Sequence, residues 1–292
     1  MTSHEKGLTY LLVAAALMSL DAVFIRLSGL HGFAPSFLFG VFSLISMTTL
    51  TQIREGNVLR VAKAGGFMLL VSGAIMGVSG TAFTLAVQKT TVANVLLIMS
   101  ITPIFSAIFS RIFLKENIKK HTGLAILLSI IGIYIIVQGS LASGGIEGDL
   151  IALVCALAVS MNFIVWRKFK QLNRSLVVGA GGFFIALFAT PFITTADYDI
   201  KGVLVMMVMG LFTAPVGRMF NAMATRIISA PEVSLISQIK IVIAPLIIWA
   251  IFGEVPGTAT FIGGSLILVA ALGQPLYSLY LMKRAPVPAV AE

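Results

Sequence analysis

Apolar runs close to twenty residues long follow one another along the chain, each ended by a short polar or charged stretch. About 20 consecutive apolar residues are what an α-helix needs to cross roughly 30 Å of hydrocarbon. Ten such runs are present, at 7–28, 35–53, 65–87, 91–114, 122–138, 149–166, 176–194, 203–224, 230–252 and 258–280. Short loops join them and leave no room for a soluble domain; only the tail at 283–292, with Pro286 and Pro288, reads as irregular. The pattern predicts an all-α integral membrane protein with ten transmembrane helices, because in lipid each backbone polar group must find its partner within the chain. Lys6 and Ala14-Ala15-Ala16 give the first run some look of a signal peptide, but at 7–28 it is longer than such a peptide's apolar core and is expected to be a retained helix.

The apolar pattern also repeats. At an offset of 138, Val95-Leu96-Leu97-Ile98, ending at Glu116, lies over Val233-Ser234-Leu235-Ile236, ending at Glu254. At an offset of 141, Ser19, Asp21 and Arg26 fall on Ser160, Asn162 and Arg167. The chain therefore divides into a first repeat at 1–140, a second at 147–282, and the tail. Five spans is an odd number, so the second repeat must enter the membrane from the opposite side, and inverted repeats are a recurrent architecture of secondary transporters.

Composition sharpens this picture. The apolar set makes up 58% of the residues even without glycine, against about 45–50% with glycine in soluble domains. The formal charge of +9 does not require a nucleic-acid partner, because basic loops set membrane topology. Fourteen lysines and arginines, among them Arg54, Lys115, Arg167, Arg226 and Lys283, fall on one predicted side, and only Arg26, Lys89 and Lys201 on the other. That bias predicts cytoplasmic N and C termini. Glu147, Asp149, Asp197, Asp199 and Glu254 belong to the opposite loops. A lone cysteine, Cys155, makes an intramolecular disulfide impossible and reads as a small packing residue.

Ionisable residues at membrane depth are costly and mark candidate sites. Lys240 lies ten residues into the ninth run, about 15 Å along a helix and near the bilayer midplane. It is a structural ion pair, a snorkelling side chain or a cavity residue, and the midplane, the hardest place from which to snorkel, favours the cavity. Glu232, Ile236 and Lys240 share one helix face; the repeat offset places Asn94, Ile98 and Thr102 on the matching face of the fourth helix. Two such stripes would line a central cavity or, alternatively, form a polar interhelical seam. Ser237 and Gln238 flank the first stripe, and Met99 offers a soft apolar wall beside the second. Asp21 and Asn162 form another symmetric pair; Asp21 is a candidate proton site or a partner for Lys240 or Arg218, the latter set after Ala214-Pro215. Gly73-x3-Gly77 signals close helix packing, and Trp166 is expected to anchor at the interface.

Other chemistries lack their parts. No P-loop spacing is present, His4, His31 and His121 form no metal cluster, and no nucleophile, base and acid combination suggests an enzyme. Neither a cofactor nor a metal is expected.

The short-looped five-plus-five arrangement, Pro103 followed by Leu114-Lys115-Glu116, and the echo Phe252-Gly253-Glu254 resemble the EamA family of the drug/metabolite transporter superfamily across the whole chain. The common Trp-Gly pair of the first helix is replaced here by Leu20-Asp21. Within the family the chain looks most like aromatic amino-acid exporters of the YddG type. The resemblance implies a multi-pass protein of the bacterial inner membrane that exports aromatic or hydrophobic amino acids by alternating access. Lys240 would take the carboxylate, Asn94, Ser237 and Gln238 would hydrogen-bond, and Asp21 or Glu232 would answer the ammonium or carry a proton. A carrier of another metabolite or drug, or a membrane scaffold, is the alternative; oligomeric state is not written in the residues.

Overall fold

The computed structural model describes residues 3–115, 120–143, 145–193, 198–224 and 239–270. Its elements are α1 (Ser3–Ser19), α2 (Asp21–Ser28), α3 (Ala34–Glu55), α4 (Val58–Lys89), α5 (Val92–Met99), α6 (Thr102–Leu114), α7 (Lys120–Ser143), α8 (Ile146–Lys168), α9 (Arg174–Ala189), α10 (Ile200–Val208), α11 (Ala214–Ala224) and α12 (Ile239–Phe252), followed by α13 (Thr258–Ala270). No strand occurs among the described residues. Among the described residues, seven helical stretches are long and apolar enough to cross a membrane, and three shorter apolar helices overlap the fifth, ninth and tenth expected spans.

The polarity of the fold is that of a protein dissolved in lipid. Phe67, Leu127, Phe212, Trp249 and Ile262 lie exposed, whereas Ser36, Ser43, Ser72, Asn94 and Asp149 are buried. Several buried hydroxyls find partners inside, as where Ser36 of α3 bonds Thr84 of α4. An apolar core built from Val23, Phe39, Val92, Ile98, Met206 and Ile248 joins both halves of the sequence.

Helix pairs approach through glycine. A Cβ on Gly40 of α3 would stand 2.5 Å from the Ala186 nitrogen and 2.6 Å from the Gly182 oxygen of α9, and one on Gly182 would stand 2.7 Å from the Gly40 oxygen. The Gly73-x3-Gly77 spacing does the same for α4, where added Cβ atoms would meet Ala180 and Phe184 of α9. At Gly66, φ +56° bends α4, leaving residues 58–65 before the crossing that begins where the apolar run does.

Among the described residues, three spans are interrupted midway. Between α1 and α2, the Leu20 N–H turns back to the Leu17 carbonyl, while the Ser19 hydroxyl bonds the Ala15 carbonyl, a competition that bends helices. Between α5 and α6, Pro103 has no N–H for the Met99 carbonyl; the Thr102 hydroxyl takes that acceptor at 2.6 Å. Between α10 and α11 lies a π-helical turn, Met209–Thr213. Here Pro215 deprives the Leu211 carbonyl of its donor, and the Ser46 hydroxyl of α3 supplies one at 2.6 Å.

Candidate functional site

A charged cluster forms where the broken helices converge. Asp21 opens α2 immediately after the Leu20 turn, and its Oδ2 lies 3.3 Å from Nη2 of Arg218 on α11. The π-turn widens the helix ahead of Arg218 and so resets the register in which that side chain emerges. The guanidinium also stacks over the Phe39 ring, 4.9 Å from its centroid. Lys240 of α12, half-buried, lies within direct electrostatic range of Asp21, Arg218 and Cys155. The Cys155 thiol of α8 approaches the Ser79 carbonyl at 3.2 Å and the Met99 sulfur at 3.9 Å.

Two groups in this cluster are only half used. Asp21 Oδ1 and Arg218 Nη1 are buried and have no hydrogen-bond partner among the described residues. A buried acceptor and donor left open cost free energy unless something fills them. With its three ionisable groups charged, the cluster also carries one net positive charge. It is chemically fitted to a small group that brings a carboxylate, a hydrogen-bond donor, or both.

A second polar assembly lies further along the same helices. From Asp21 to Arg26 on α2, and from Met99 back to Asn94 on α5, is five residues, about 7.5 Å of helix. Here Arg26 pairs with Glu254 at 3.4 Å and donates to the Thr90 carbonyl at 2.9 Å, while Glu254 accepts the Val92 N–H at 2.8 Å. Asp149 Oδ1 accepts from the Thr90 hydroxyl at 2.7 Å and from the Asn94 amide at 3.3 Å. The Thr260 hydroxyl of α13 donates to Asn94 Oδ1 at 2.6 Å. An open pocket of about 280 Å³, lined by residues including Arg26, Lys89, Thr90 and Asn94, borders this assembly.

The sequence candidates thus separate. Lys240, Asp21, Arg218 and Met99 meet at the central cluster. Asn94 does not; its amide is engaged in the second assembly. Ile98 is fully buried in the apolar core, and the Thr102 hydroxyl serves the Met99 carbonyl. The interruption at Ser100–Ile101 breaks the even spacing that put Asn94, Ile98 and Thr102 on one face. Asn162 accepts from Ser72 at 2.6 Å, and Ser72 accepts the Trp166 indole N–H at 2.9 Å, a packing contact between α4 and α8. Trp166, expected at the interface, is therefore bonded within the protein. Glu232, Ile236, Ser237 and Gln238 lie outside the described residues.

Sequence reasoning missed Asp149, which sits in the first turn of α8 with 1% of its surface exposed and not in a loop. It also missed the pairing of Arg26 with Glu254, charges that look like ordinary loop charges. An acid directly beside an apolar span was the available signal. No group of three or more His, Cys, Asp or Glu residues that could hold a metal ion occurs among the described residues.

Comparison with known proteins agrees with this architecture. A solved crystal structure 18% identical in sequence aligns over 95% of this chain and 99% of its own, with a TM-score of 0.61, and so shares the fold. An uncharacterised transporter of Clostridium kluyveri is 25% identical over 252 residues, covering 81% of this chain and 80% of the relative. The uncharacterised transporter YdfC of Bacillus subtilis is 26% identical over 255 residues, again 81% and 80% of the two chains. A model of the EamA-like transporter family matches twice, at residues 5–138 and 146–273, and between them these matches take in most of the sequence. The chain is a multi-pass membrane protein belonging to the EamA-like transporter family.

Proposed function

We propose that this transporter exports amino acids with aromatic or other large apolar side chains across the bacterial inner membrane. Two inverted repeats, 1–140 and 147–282, alternate access to the central cluster, with both termini in the cytoplasm. The observation that carries the reading is the junction of Asp21, Arg218 and Lys240 at membrane depth beside Phe39 and Met99. A free amino acid presents a carboxylate, an ammonium and a side chain. Its carboxylate suits Lys240 and the open Nη1 of Arg218, and its ammonium suits the open Oδ1 of Asp21. Phe39 and the thioether of Met99 give an aromatic side chain a polarisable apolar neighbour. A phosphorylated metabolite is less well matched, since its two negative charges would outweigh the cluster's net charge.

Counterflow of a labelled amino-acid panel in proteoliposomes tests this. Saturable exchange of phenylalanine, tyrosine or tryptophan is expected, and K240A is expected to abolish it while the protein still inserts. No saturable flux of any amino acid would overturn the substrate reading. Unchanged flux in K240A would remove Lys240 from the site.

A further inference from the structure

We propose that Arg26, Thr90, Asn94, Asp149, Glu254 and Thr260 form a polar latch that closes one end of the transport path and opens in every cycle. The inference rests on the transporter family and on alternating access, and not on the identity of the substrate.

The bonding pattern is the first argument. Arg26, Thr90, Val92 and Asn94 lie in the first matched stretch of the family, and Asp149, Glu254 and Thr260 in the second. Arg26 to Glu254, Val92 to Glu254, Thr90 to Asp149, Asn94 to Asp149 and Thr260 to Asn94 all cross from one stretch to the other. A motion that separates the two stretches at this end must break them together. The Arg26 to Thr90 carbonyl bond, which lies within the first stretch, ties the crossing bonds of Glu254 to those of Asp149.

Position is the second argument. Three helices run from this layer directly to the central one: α2 from Arg26 to Asp21, α5 from Asn94 to Met99, and α8 from Asp149 to Cys155. The latch therefore sits one to two helical turns from the charged cluster, across its way out. Glu254 also receives the Val92 N–H at the first turn of α5, where a carboxylate is favoured by the helix dipole. Glu254 is thereby fixed to the start of the short helix that leads down to Met99.

Chemistry is the third. Separated apolar surfaces would have to be wetted afresh at each opening, but separated carboxylates, hydroxyls and amides exchange protein partners for water at small net cost. Water for that exchange can be supplied by the bordering open pocket of about 280 Å³. The latch is thus strong enough to hold when dry and easily released when wet, as a two-state element requires. The distribution of Lys and Arg assigns it to the non-cytoplasmic end.

Cys155 makes the test possible without added probes. It is the single cysteine of the sequence and lies in the central layer. A charged, membrane-impermeant methanethiosulfonate is applied to sealed vesicles of the full-length protein, from one face at a time. E254Q and R26Q are expected to raise the labelling rate from the Arg26 face at least tenfold, a shift of about 1.4 kcal/mol in the opening equilibrium. R26K, which keeps the charge, should stay near the wild-type rate. Rates within twofold of wild type from that face, equal increases from both faces, or no labelling of any variant would overturn the latch. Deuterium uptake in a peptide containing Thr260 is a second measurement. Arg26 does not touch Thr260, so uptake there rises in R26Q only if the network opens as a unit, and unchanged uptake overturns it. Accelerated labelling without amino-acid counterflow would sink the substrate reading and leave the latch standing. Counterflow with unchanged labelling would do the reverse.

Discussion

Removing either member of the Asp21–Arg218 pair should destabilise the protein, and not equally. The carboxylate and guanidinium are 3.3 Å apart, with side-chain exposures of 3% and 18%. Two unit charges near 4 Å attract by about 4 kcal/mol at an effective dielectric of 20. Desolvation consumes much of that attraction, yet deleting one partner of a buried pair typically costs about 3–5 kcal/mol, because the other is left buried and uncompensated. D21N leaves two cations, Arg218 and Lys240, facing each other without their shared acid, so its loss belongs at the upper end of that range. R218Q leaves Asp21 with Lys240 still in electrostatic reach, so its loss belongs at the lower end. The double variant D21N/R218Q removes both charges and should cost at least about 2 kcal/mol less than the sum of the singles. Equilibrium unfolding of the four proteins in one detergent mixture measures all three quantities. Additivity to within about 0.5 kcal/mol would mean that the two groups are not coupled. A costlier R218Q than D21N would mean that Lys240 does not share the acid. Either result refutes the three-charge site.

The backbone repairs make further predictions on the same unfolding curves. S46A removes the donor that satisfies the Leu211 carbonyl beside Pro215 and should cost about 1–3 kcal/mol, the usual penalty of an orphaned buried acceptor; no loss would mean that water or a shifted turn takes its place. G40V drives a side chain into the Ala186 and Gly182 backbone and should cost about 3 kcal/mol or more, or prevent accumulation in the membrane. G257A, whose added methyl meets nothing within 4 Å, should be neutral; equal losses in the two glycine variants would refute the close α3–α9 crossing.

The spans were legible because lipid imposes its requirement locally: an unbroken apolar run of a set length needs no knowledge of what packs against it. Lys240, Asp21 and Arg218 were legible as interior charges for the same reason, and Asp21 as a partner for Lys240 or Arg218; that both cations lie near the one acid was not, since α2, α11 and α12 are brought together only by the fold. Asn94 is where the two readings of the stripe, cavity and interhelical seam, part. A polar residue inside a span looks alike in sequence whether it faces a substrate or a helix, and only three dimensions show Asp149 and Thr260 on its amide. The evenly spaced stripe through Asn94, Ile98 and Thr102 assumed a continuous helix. Pro103 was visible, but its consequence, a break at Ser100–Ile101, alters the phase of everything beyond it. Asp149 was misplaced by a few residues of helix boundary, enough to turn a buried acid into a loop residue.

The three mid-membrane interruptions explain why the charged cluster lies where it does. An unbroken transmembrane helix spends every backbone group on itself and can offer a polar ligand only side chains. At Leu20, Ser100–Ile101 and Met209–Thr213 the ladder is broken, and each break neighbours a member of the cluster: Asp21 follows the first, Met99 precedes the second and Arg218 follows the third. Non-regular backbone at this depth survives only where something satisfies it. The hydroxyls of Ser46 and Thr102 do so at two carbonyls that prolines have orphaned. These prolines and hydroxyls are therefore as much a part of the site as its charges. Pro215 directly follows the π-turn that precedes Arg218 and Pro103 follows the break beyond Met99, whereas the break before Asp21 carries no proline; the Ser46 and Thr102 hydroxyls satisfy the two carbonyls the prolines orphan.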